Sequence, residues 1–74
     1  MTNKDIYNKF DIMAQTYIDL IVYSKAVDNW ELVTEYEHKL QAVRSTLHCI
    51  LGAKYLDKLD DQQENMYADA KANQ

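Results

Sequence analysis

The sequence predicts an all-α protein: an antiparallel hairpin of two long helices and a weaker third C-terminal helix, assembling as a homodimeric helical bundle. Three observations predict it. Apolar residues recur at alternating steps of three and four along the first two thirds of the chain, the period of a helix face. There is no proline and one glycine, Gly52, which is too little turn chemistry for a β-rich or loop-rich fold. Helix-start signals stand at Thr2 and Asp28.

Helix 1 is expected over residues 3–26. Thr2 can cap it, Asp5 occupies the third position of a capping box, and Met1 and Ile6 are spaced to staple across the start. Ile6, Phe10, Met13, Tyr17, Leu20, Ser24 and Val27 then form one seam. Tyr7, Ala14, Ile18 and Ile21 lie beside it and widen the apolar face to roughly 160°, beyond the stripe of about 100° usual for a surface helix. One partner helix cannot cover so wide a face.

Helix 2 is expected over residues 28–51. Asp28 is placed as N-cap, Glu31 as its capping-box partner, and Val27 with Leu32 as a hydrophobic staple. The short connection favours an antiparallel hairpin, with one continuous helix through Asp28 as the alternative. Val33, Tyr36, Leu40, Val43, Leu47 and Ile50 repeat the seam spacing. Ala42, Thr46, Cys49 and Ala53 flank it as a line of small residues. Thr34, Glu37, Gln41, Arg44 and His48 occupy the other face and should be wet. Glu35 and Lys39 make a favourable pair at a spacing of four.

Past Gly52 the apolar pattern changes phase, and Tyr55, Leu56, Leu59, Met66, Tyr67 and Ala70 point nearly opposite to the helix 2 seam on a straight wheel. Gly52 therefore reads as a stop followed by a third helix over residues 53–71 that folds back. Asp61 and Glu64 are spaced as a further capping box, so a break is expected there. Residues 1–71 make one helical domain, and residues 72–74 should fray.

A chain of 74 residues is near the size below which a core needs a staple or a partner subunit. Cys49 is the only cysteine, so no internal disulfide can help. A second copy is the expected remedy, with Phe10, Met13, Tyr17, Leu20, Ile21, Tyr36, Leu40, Val43 and Leu47 at the subunit interface. The lone thiol favours a reducing compartment, the cytoplasm by default. The longest apolar run, Leu20, Ile21, Val22 and Tyr23, is far short of the roughly 20 residues that span a bilayer, so no membrane association is expected.

The residues offer little chemistry. A single glycine cannot build a phosphate-cradling loop. His48 and Cys49 are neighbours and project about 100° apart on a helix, which disfavours a base–nucleophile pair; Cys49 reads as a buried small hydrophobe. His38 and His48 carry no metal-ligand spacing. No catalytic residue, cofactor or metal is expected. Twelve acidic against eight basic residues give a net charge of −4, which opposes attraction to phosphate backbones. A dimeric nucleic-acid regulator gathering Lys25, Lys54 and Lys58 is the alternative.

The aromatic content is high, with six tyrosines, one tryptophan and one phenylalanine. Tyr17 and Tyr36 lie on the seams. Tyr23 falls off its seam and Trp30 stands at the hairpin tip, either plugging the bundle end or anchoring a partner. Trp30, Tyr23, Tyr55 and Tyr67 are the candidate partner-binding residues. The expected function is a non-enzymatic regulator, inhibitor or adaptor that self-associates and binds another protein, in the style of small proteins of phages and mobile elements.

Overall fold

A computed structural model describes residues 1–73 and contains three helices: α1 (Asn3–Ala26), α2 (Trp30–Leu51) and α3 (Ala53–Ala72). They run up, down and up, and each packs on the other two. Tyr17 meets Tyr36 across α1 and α2, and Arg44 meets Asp60 across α2 and α3. The parallel pair α1 and α3 is marked by Gln15 Nε2 donating to the Met66 carbonyl at 3.2 Å. Ala72 is still helical and Asn73 caps α3, so the expected frayed tail is narrowed; Gln74 lies outside the described residues.

The start of α1 follows its sequence signal. Thr2 accepts from the Asp5 amide and Asp5 accepts from the Thr2 amide, both at 3.1 Å, so two free helix-end donors are satisfied. The same hydrogen bonds hold the Asp5 carboxyl below its ordinary value. Met1 stays exposed instead of stapling on Ile6, because Ile6 already packs against the core.

The cap of α2 falls one residue later than the signal at Asp28. The Asn29 amide bonds the Ser24 carbonyl at 2.8 Å and the Asp28 amide bonds the Lys25 carbonyl at 3.1 Å. This pair of bonds is a Schellman closure of α1, and it requires a left-handed residue at Asp28, whose φ is 57°. Asp28 is thereby taken from the capping role. Asn29 fills it, accepting from the Leu32 amide at 3.3 Å, so one residue both ends α1 and starts α2. Gly52 serves both α2 and α3 in the same way, with φ 88° and ψ 179°, a region open essentially to glycine alone.

The core corrects the expected subunit interface. Phe10, Ile21, Leu40, Val43 and Leu47 are buried within the chain, together with Leu59, Met66 and Ala70 of α3. The third helix supplies the cover expected from a second copy. It docks on the side of α1 marked by Tyr7, Ala14, Ile18 and Ile21, so this flank, and not the seam beside it, is the centre of the α1 core. The seam members Met13 and Val27 are left exposed and Leu20 half-buried. The accessible surface of 4958 Å² is close to the value of about 4,700 Å² for a self-contained monomer of this mass.

Two further expectations are overturned, the break in α3 and the burial of Cys49. The face of α2 expected to be wet stays so at Thr34, Glu37, Gln41 and His48; Arg44 is half-buried there, gripping Asp60 of α3 through Nε at 2.8 Å and Nη2 at 2.9 Å. α3 runs unbroken through Asp61, because Leu59 and Met66 share a buried face while Asp61, Gln62, Glu64 and Asn65 turn outward. Cys49 is exposed, as are Ala42, Thr46 and Ala53 of the same small-residue line, which neither α1 nor α3 covers. No described helix is long and apolar enough to cross a membrane.

Candidate interaction surface

The large apolar side chains that remain exposed are Met1, Ile12, Met13, Tyr23, Val27, Trp30 and Ile50. None is on α3, whose outer positions Asp57, Asp61, Gln62, Glu64, Asn65 and Asp69 are polar. Ile12, Met13, Thr16, Leu20, Tyr23 and Val27 project within a sector of roughly 100° on α1. Ile12 is 65 % exposed and Tyr23 59 %. They form a second apolar stripe turned away from the core.

A shallow groove of about 410 Å³ adjoins this stripe, between α1 and α2 on the side away from α3. Phe10 and Val43 make its floor, and Met13, Tyr17, Ala42 and Thr46 its walls. Ile50 stands one turn beyond Thr46 and is 55 % exposed. The Tyr17 and Tyr36 rings meet at 6.3 Å between centroids, which fixes the groove wall. Lys39 crosses the rim, paired with Glu35 at 3.5 Å and lying 5.6 Å from the Tyr36 ring centroid.

The residues expected to bind a partner separate into two groups. Tyr23 lies on the exposed stripe. Trp30 is 60 % exposed at the first turn of α2, so it projects and does not plug the bundle. Tyr55 and Tyr67 instead pack against the core. Tyr55 rests on Tyr7 at 5.7 Å, and Lys58 sits 4.6 Å over the Tyr7 ring. Burial, with the Glu37 charge adding to it, pushes the Tyr67 hydroxyl above its usual value, and burial with Asp11 does the same to Tyr7.

Of the interface residues read from the sequence, Met13, Tyr17, Leu20 and Tyr36 keep surface on this side of the molecule. Ile12 and Ile50 were not singled out as surface residues. Ile12 stands off the seam by itself, and the docking of α3 on the opposite flank is what leaves the face it shares with Tyr23 exposed. Lys25 closes the C-terminal end of α1, whereas Lys54 and Lys58 open α3. Because α1 and α3 are parallel, these cations lie at opposite ends of the bundle and form no common patch.

Fold and surface together define a three-helix up-down-up bundle with one apolar side left open. No protein-family model, curated protein or solved structure matches the chain.

Proposed function

We propose that this is a small non-enzymatic interaction module, a regulator, inhibitor or adaptor, that binds protein through the outer stripe of α1 and the adjoining α1–α2 groove. One observation carries the reading: Ile12, Met13, Tyr23, Val27 and Ile50 are exposed on this side, while the exterior of α3 exposes no large apolar side chain. Single surface hydrophobes are ordinary, but a contiguous group rimmed by polar residues is the usual mark of a contact site. Trp30 offers a separate aromatic anchor at the hairpin tip.

The net charge of −4 and the wide separation of Lys25 from Lys54 and Lys58 weigh against nucleic acid as the partner. A photoreactive residue at Ile12 or Tyr23, in cells that express the protein, is expected to trap protein adducts that the same residue at Asp61 does not. Equal trapping from both helices, or none from either, would refute the assignment.

A further inference from the structure

We infer that the occupant of the α1–α2 side is a second copy of this chain, packed antiparallel about a two-fold axis near Thr16 and Lys39, with each α3 outside. The inference rests on the interaction-module reading and names its partner. The pairing differs from a seam-to-seam dimer, because the seam residues at the core stay enclosed within each copy.

Breadth selects a two-helix partner. A single foreign helix seated in the groove covers a strip about 10 Å wide. The exposed residues stand on both of its shoulders, with Ile12, Tyr23 and Val27 on α1 and Ile50 on α2. The matching side of a second copy reaches both shoulders at once, and exposed Ala42 leaves room for close approach.

Area is sufficient. The bundle is 38 Å long, and two adjacent helices are about 20 Å across. The side thus offers on the order of 700 Å² per copy, or about 1,400 Å² in total, within the range of specific interfaces.

Charge selects the direction. Asp28, Glu31 and Glu35 lie toward the hairpin end of this side, and Lys9, with Asp5 beside it, toward the other. Lys9 is five to six residues below the midpoint of α1 (Asn3–Ala26), and Glu35 is as far above the midpoint of α2 (Trp30–Leu51). An antiparallel two-fold brings Lys9 level with the partner's Glu35, whereas a parallel one stacks the acidic ends on each other. Lys39, close to the axis, meets only Oε1 of Glu35 in its own chain, at 3.5 Å and half exposed, a weak pair that leaves Glu35 able to meet the partner's Lys9.

Sedimentation equilibrium between about 5 and 500 µM, the range in which dimers of this area commonly dissociate, tests the inference. The mass is expected to rise from 8.7 kDa toward twice that value. Ile12→Glu should move the dissociation midpoint at least about tenfold higher. Its helix content and its melting as a monomer should be unchanged, because Ile12 contributes nothing to the core. Asp61→Lys on α3 should leave the midpoint in place.

A spin label on the single cysteine, Cys49, reports direction. Cys49 lies eight to nine residues from the midpoint of α2, so at about 1.5 Å per residue the two labels stand about 25 Å or more apart. A monomer at every concentration, or an Ile12→Glu dimer as tight as the parent, overturns the inference; labels centred below about 20 Å overturn the antiparallel arrangement. A monomer that still yields photo-adducts with another protein from Ile12 would sink self-pairing alone and leave the interaction-module reading standing.

Discussion

Replacing Gly52 with L-alanine isolates a backbone cost. The residue has φ 88° and ψ 179°, and a Cβ built there meets no atom within 4 Å. The substitution therefore creates no collision with neighbouring residues and adds only the local conflict of an L side chain with this backbone. Residues held in that region cost about 1–3 kcal/mol, and the stiffer unfolded chain returns about 0.4–1 kcal/mol. The net loss is about 1–2 kcal/mol, against a total stability of about 4–11 kcal/mol for a chain of this length. A Tm reduction of about 5–15 °C follows. Urea and thermal melts followed by circular dichroism would measure it. A synthetic chain with D-alanine at the same position separates the causes, because the mirror residue adopts this backbone without strain. The D variant should be at least as stable as the glycine parent. Equal losses for both enantiomers, or no loss for L-alanine, would refute the backbone argument.

The opposite sign is expected at the other reversal. Asp28→Gly, at φ 57°, should raise stability by about 0.5–1 kcal/mol by removing the left-handed penalty, measured as a higher urea midpoint. For the tyrosines, absorbance titration should show Tyr7 and Tyr67 ionising after the exposed ones. Their folded pKa values lie above the unfolded value near 10, so their contribution is fully present below that pH and is lost as pH rises through the folded values. Their ionisation should therefore accompany loss of helical signal.

The helices were legible because their signals are local. Thr2 and Asp5 sit three residues apart, and Gly52 is the only glycine, so the start of α1 and the stop of α2 could be read directly. The rotation of each helix was not, because it depends on where α3 docks. The alternating spacing through Met13 and Leu20 is as regular as that through Tyr7, Ala14, Ile18 and Ile21. Only contact with Leu59 and Met66 makes the second line the buried one. Asp28 was misread because capping and chain reversal favour the same residue types; the Schellman bonds that the Asn29 and Asp28 amides donate to the Ser24 and Lys25 carbonyls decide between them. The exposed stripe became visible only as the complement of the core.

The parallel course of α1 and α3 bears on the order in which the protein assembles. Each antiparallel pair closes around a connection of one to three residues, whereas joining α1 to α3 brings together positions as remote as Gln15 and Met66, 51 apart. Closing the larger loop costs more chain entropy, so either hairpin can form by itself before the remaining helix docks. Until that last step, Phe10, Ile21 and Leu47 lack part of their cover, and it is in this partly folded interval that the chain is most prone to stick to its neighbours.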